Sequence, residues 1–159
     1  MYHLAIDIGA SSGRHILGYV QDGRLEMEEI YRFENGFKEQ NGTLIWDIEK
    51  LTSDVVNGIA ECKKLGKIPE TVAIDTWGVD FGLLDKDGQL IGNPYNYRDV
   101  RTAGMQDEFY KTMSREELYA KTGIQQIDLN TVYQLKSVTK YRPQDLAQAE
   151  TLLLIPDLF

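Results

Sequence analysis

Three short stretches concentrate residue types that do chemistry. The first, Asp7-Ile8-Gly9-Ala10-Ser11-Ser12-Gly13-Arg14, holds two hydroxyls and a guanidinium in and around a glycine-bounded turn. Such a turn crowds backbone N–H donors into a small space, which suits phosphate oxygens. It is not a P-loop, because no Gly-Lys-Ser/Thr follows and the next element reads as a strand. Nor does it match a dinucleotide fingerprint, since its glycines stand at 9 and 13. A plain tight turn in which glycine supplies positive φ gives the same pattern. Asp7 favours the functional reading. A carboxylate closing a buried strand is costly unless it serves a metal, a water or a hydrogen-bond network.

The second stretch is Ile74-Asp75-Thr76-Trp77-Gly78-Val79-Asp80-Phe81-Gly82. It follows a strand end, where ligands bind in open α/β sheets. Tryptophan beside glycine and two carboxylates suits a polyol, the ring stacking and the acids accepting its hydroxyls. Taken alone, such a cluster is more often a core tryptophan with surface aspartates. The third stretch is Asn96-Tyr97-Arg98-Asp99 with Arg101 close behind. Arg98 has the paired donors to orient an oxygen; as a surface ion pair with Asp99 it would contribute little.

The remaining reactive side chains read as structural. His3 and His15 lie in strands without metal-ligand spacing. Cys62 is the one cysteine, which excludes an intrachain disulfide, and its place on an apolar helix face makes it a small buried hydrophobe. The 159 residues carry 17 basic and 25 acidic side chains, a net charge of −8, which argues against nucleic-acid and membrane-surface partners. No leader pattern opens the chain and no window reaches the ~20 apolar residues of a membrane span, so a cytoplasmic protein is expected. The length fits about one domain.

These stretches need elements to hold them. Leu4 to Ile8 reads as a buried strand, His15 to Val20 as a second, and Asp22-Gly23 as the type I′ turn into a third. Leu25, Met27, Tyr31 and Phe33 share one face of that third strand at period two, interrupted by Glu29. Asn35 to Gly42 reads as a polar loop. Asp47 caps a helix whose apolar face is Ile48, Leu51, Val55, Ile59 and Cys62, ended by Gly66 and Pro69. Thr71 to Ile74 is a further strand. The order β-β-β-α-β predicts a mixed sheet in an α/β domain. Beyond it, Asp87-Gly88 predicts a hairpin over 81–91. Helices are expected over 102–113, after the capping box Ser114-x-x-Glu117, and over 131–141 up to Pro143, then a buried strand at Leu152 to Ile155.

Taken jointly, the three stretches resemble the FGGY family of carbohydrate kinases. That family's N-terminal pattern is Asp-x-Gly-(Thr/Ala)-(Ser/Thr)-x-x-Arg on the first hairpin, and this chain has Asp7, Gly9, Ala10, Ser11 and Arg14. Glu34-Asn35-Gly36, Gln40-Asn41-Gly42 with Trp46-Asp47, Gly123-Ile124-Gln125 and Asn130-Thr131-x-Tyr133-Gln134-Leu135 are similar to one ketose-specific branch. The resemblance runs from Leu4 to Phe159. It implies a ribonuclease H-like domain of the actin/hexokinase/Hsp70 ATPase type, incomplete here, with residues 1–159 forming the N-terminal part of the first of two domains.

The same resemblance implies ATP and Mg2+ as cofactors and a small-molecule sugar as substrate, L-rhamnulose being phosphorylated to L-rhamnulose 1-phosphate. By position, Asp7 would hold Mg2+ through water. Ala10, Ser11, Ser12 and Gly13, with Arg14, would contact the ATP phosphates. Gly78 would approach the sugar, flanked by Trp77 and Asp80, with Arg98 as a further, lesser candidate for the sugar. The commoner pattern has threonine at Ala10, so one hydroxyl is missing. The catalytic aspartate and the adenosine-binding domain would lie beyond Phe159 in the missing C-terminal part, leaving this stretch inactive alone. Two alternatives stay open: a sister ketose kinase of the fuculose or xylulose type, and a non-catalytic sugar- or nucleotide-binding module.

Overall fold

In chain order the elements are β1 (Tyr2–Ile8), β2 (Ser12–Gln21), β3 (Arg24–Glu34), β4 (Lys38–Gln40), β5 (Thr43–Ile45), α1 (Ile48–Lys64), β6 (Thr71–Thr76), β7 (Phe81–Leu84), α2 (Met105–Tyr110), α3 (Arg115–Thr122), α4 (Thr131–Tyr141), α5 (Pro143–Gln148) and β8 (Thr151–Leu154), with 3₁₀ turns at Val100–Thr102 and Ile155–Leu158. This computed structural model describes residues 1–159. The residues form two units: Met1–Phe37, Asp47–Gly78 and Ile155–Phe159 make the first, Lys38–Trp46 and Val79–Leu154 the second.

The first unit is built on a four-stranded sheet in the order β3-β2-β1-β6. The two hairpin pairings are antiparallel, and β6 joins β1 in parallel after the crossover through α1. The expected mixed α/β arrangement is therefore present. Asp22 and Gly23 both have positive φ (51° and 76°), as a type I′ turn requires. Asp47 caps α1 by accepting from Lys50 N at 3.1 Å. Leu4, Ile6, Ile8, Leu17, Phe33, Leu51, Val55 and Cys62 make the core.

Two expectations about this core need correction. The register of β2 against β3 shifts between His15 and Ile16, leaving Ile30 as an extra residue in β3. A bulge inverts the alternation beyond it. Leu25 and Met27 therefore leave the face of Tyr31 and Phe33 and stand 68% and 71% exposed. On α1 the buried positions are Leu51, Val55, Gly58 and Cys62, while Ile59 faces out. Gly58 is required there, because a Cβ on it would lie 2.3 Å from the buried His15 ring.

In the second unit, β4, within the expected polar loop, forms a hairpin with β5 just beyond it. Its turn, Asn41-Gly42, has positive φ at both residues (53° and 75°). The expected 81–91 hairpin is reduced to one bridge, Leu84 with Leu90, because β7 pairs instead with β8. The terminal strand is thus present, but Leu152 and Leu154 are exposed rather than buried. The expected 102–113 helix is shorter, a 3₁₀ turn followed by α2. Ser114 caps α3 by accepting from Glu117 N at 3.1 Å. Pro143 ends α4 and also opens α5, where its missing N–H costs nothing. No helix is long and apolar enough to cross a membrane.

Candidate functional site

The phosphate-type turn joins β1 to β2. Gly9 N donates to the Ser12 carbonyl at 2.9 Å, closing the turn. Asn35, just past β3, donates twice to it: its backbone N to the Ser11 carbonyl at 3.0 Å and its Nδ2 to the Gly9 carbonyl at 2.7 Å. Hydrogen bonding of the turn thus runs through its carbonyls. The amides of Ala10 and Ser11 are not used by any backbone carbonyl of the chain. Gly13, the second residue of β2, packs against the Phe33 ring, and a Cβ there would lie 2.1 Å from Phe33 Cζ.

Asp7 and Arg14 face each other across β1 and β2. Arg14 Nε lies 3.1 Å from Asp7 Oδ2, yet is not aligned to make a hydrogen bond and has no other partner. Both side chains are part-exposed, so the ion pair is weak. A free Nε, unused amides, two serine hydroxyls and an accessible carboxylate fit a phosphate chain with a hydrated divalent cation.

The second stretch falls on both units. In the first unit β6 ends at Thr76, whose hydroxyl donates to the Trp77 carbonyl at 3.1 Å, and Trp77 packs on the core. Gly78 is exposed, and no protein atom lies within 4 Å of a Cβ built on it. Neither packing nor a positive φ requires a glycine here.

In the second unit Asp80 is fully buried. Its Oδ2 accepts from Trp46 Nε1 at 2.6 Å and from Tyr97 N at 3.2 Å, and its Oδ1 accepts from Gln134 Nε2 at 2.8 Å. With both oxygens engaged, Asp80 organises its surroundings from beneath. The preceding Val79 has φ of +69°, a strained conformation for a β-branched residue. Its carbonyl is clamped by the Thr131 hydroxyl at 2.8 Å and by Gln134 Nε2 at 3.3 Å.

The third stretch lies beside this network. Asp99 is not an ion-pair partner of Arg98. It is buried, capping the 3₁₀ turn through Arg101 N at 2.9 Å and accepting from Leu44 N at 2.7 Å. Arg98 is exposed, with its guanidinium 5.6 Å from the centre of the Tyr97 ring. Arg101 is the enclosed arginine, stacked 4.0 Å from the Tyr95 ring centre and donating to Gln134 Oε1 at 2.5 Å and Ser137 Oγ at 3.3 Å. Loss of water pulls its pKa down to about 10, which leaves it charged at neutral pH.

Trp46, Gln134 and Thr131 carry this network, and the sequence quoted them without a role. Their bonds to Val79 and Asp80 span 34 to 55 residues, a distance no local pattern covers. His15 and Cys62 are buried, and His3 bonds Thr71 Oγ1 at 2.8 Å, in line with structural roles.

Residues 2–159 match the N-terminal domain of the FGGY family of carbohydrate kinases. The chain is 43% identical over 155 residues to a rhamnulokinase of Oceanobacillus iheyensis, covering 98% of this chain and 33% of that protein. It is 42% identical over 158 residues to a rhamnulokinase of Halalkalibacterium halodurans, covering 99% of this chain and 34% of the relative. Among solved structures, a xylulose kinase from Rhodospirillum rubrum superposes with a TM-score of 0.81 at 17% identity, over 96% of this chain and 32% of that one. Plasmodium falciparum glycerol kinase with ADP gives 0.73 at 15% identity, over 96% and 32%. These likenesses establish the actin/hexokinase-type ATPase fold. The chain spans about a third of the length of the relatives it matches. It belongs to the FGGY family of carbohydrate kinases.

Proposed function

We propose that the whole protein phosphorylates L-rhamnulose at its primary hydroxyl, using Mg2+ and ATP, to give L-rhamnulose 1-phosphate. Residues 1–159 are then the N-terminal part of its first domain. The observation that carries this reading is identity above 40% to proteins named rhamnulokinase over nearly the whole chain. ATP supplies the phosphoryl group and Mg2+ neutralises charge on it. Phosphoryl transfer rests on positioning and electrostatics more than on covalent steps by the protein.

Each candidate residue has a part in that positioning. The backbone and hydroxyls of Ala10, Ser11, Ser12 and Gly13 contact the phosphate oxygens, and Arg14 adds a guanidinium. Asp7 holds the metal through water. Gly78 lets the sugar approach the backbone, with Trp77 beside it. Asp80 acts through its partners, fixing Trp46 and the Tyr97 backbone, while exposed Arg98 borders the substrate. The base that takes the hydroxyl proton is an aspartate supplied by the rest of the protein.

A ketose panel in a coupled ADP-release assay on the whole protein tests the substrate. L-rhamnulose should show the highest kcat/KM. An equal or higher value for L-fuculose or D-xylulose would reassign the protein to a sister kinase, and sugar binding without turnover would make it a binding module.

A further inference from the structure

We propose that Asn35 is a positioning residue that holds the β1–β2 turn in its phosphate-accepting shape by fixing two of its peptide planes. This rests on the reading of that turn as the phosphate site. Asn35 Nδ2 donates to the Gly9 carbonyl at 2.7 Å and Asn35 N to the Ser11 carbonyl at 3.0 Å. The peptide bonds are trans. In a trans peptide the N–H points opposite the C=O of the same plane. Holding the Gly9 and Ser11 carbonyls toward Asn35 therefore turns the Ala10 and Ser12 amides away from it, to the side where an anion would sit.

Without the side-chain bond, the Gly9–Ala10 plane is free to rotate. Gly9 flanks it, and glycine gives least resistance to a flip. A flipped plane would present a carbonyl oxygen to the phosphate in place of an amide, exchanging attraction for repulsion. One contact orients Asn35 in turn: its Oδ1 accepts from Gly36 N at 2.8 Å. Two residues earlier in β3, the Phe33 ring packs against Gly13. The end of β3 thus braces the turn at Gly9, Ser11 and Gly13. No substrate atom need touch Asn35.

Asn35→Asp is the sharp test. It keeps size and the acceptor for Gly36 N but removes the Nδ2 donor and sets a carboxylate against the Gly9 carbonyl. Asn35→Ala removes the same bond without adding charge. Both variants are made in the whole protein, and they and the parent protein are titrated with Mg·ATP by calorimetry, with 15N–1H spectra of the free proteins recorded alongside. The parent should bind, and both variants should bind about tenfold more weakly or worse. The Ala10 and Ser12 amide signals should move in the free variants, while the thermal midpoint shifts by only a few degrees. A purely structural asparagine would lower the midpoint without that selective loss. Equal Mg·ATP affinity in parent and variants would overturn the role of Asn35 and leave the phosphate site standing. A parent protein whose turn amides do not respond to Mg·ATP would overturn the phosphate reading and this inference with it.

Discussion

The indole Nε1 of Trp46 donates to Oδ2 of Asp80 at 2.6 Å, across 34 residues of sequence and with both side chains buried. A buried carboxylate is tolerated only when its oxygens are bonded, and Asp80 meets that condition through Trp46, Tyr97 and Gln134. The pair ties the end of the β4–β5 hairpin to the residue that follows the strained Val79. A double-mutant cycle with Asp80→Ala and Trp46→Phe should give a coupling of about 2 kcal/mol in urea unfolding. Additive losses would show that the bond contributes nothing to stability.

Gly13 and Phe33 form a second long-range pair. Gly13→Ala places a methyl group 2.1 Å from Phe33 Cζ, so the ring or the turn must move. A loss of about 2 kcal/mol is expected, the usual cost of overpacking. Phe33→Leu in the same chain should recover part of it. A double variant less stable than the sum of the two single losses would contradict the contact.

His15 should make stability depend on pH. Burial lowers its pKa below the ordinary value, despite the bond to the Val55 carbonyl at 3.1 Å. The unfolded chain takes up this proton near pH ~6.5, while the native state takes it up only at lower pH. The native state binds fewer protons between those values, so stability is full above about pH 6.5 and declines as pH falls toward the native pKa. Urea unfolding at intervals from pH 8 to 5 reads this. His15→Gln should remove that share of the slope, and an unchanged slope would rule out His15 as its source.

Val79 holds a positive φ of 69° with its carbonyl clamped by Thr131. Such strain costs about 1–3 kcal/mol and persists only where neighbours enforce it. Val79→Gly should be neutral or stabilising by about 1 kcal/mol, because glycine adopts this conformation freely. Thr131→Val should cost about 1 kcal/mol through the lost bond. Strong destabilisation by Val79→Gly would mean that the side chain, not the backbone, matters at this position.

Much of the fold was legible because its signals are local. Apolar runs marked β1 and β2, Asp22-Gly23 the hairpin of β2 with β3, and Asp47 the start of α1. Asn41-Gly42 carried the same turn signal as Asp22-Gly23, but its flanking strands have only three residues each, and the first of them, Lys38–Gln40, is polar and exposed throughout. The bulge at Ile30 inverted an otherwise regular pattern. Gly58 displaced Ile59 from the core because His15 occupies the space above it. Around the site, the turn and the Trp77-Gly78 stretch stood out by residue type. The bracing of the turn by Asn35 and the burial of Asp80 depend on partners brought from distant strands and helices, which no window of sequence contains.

Hydrogen exchange on the whole protein, with and without each ligand, tests the two halves of the site most directly. Mg·ATP should protect the amides of residues 7–14, and L-rhamnulose should protect those of 76–80 and 95–98. Mg·ATP protection that leaves 7–14 unchanged would contradict the phosphate turn. L-rhamnulose protection confined to other segments would contradict the placement of the sugar.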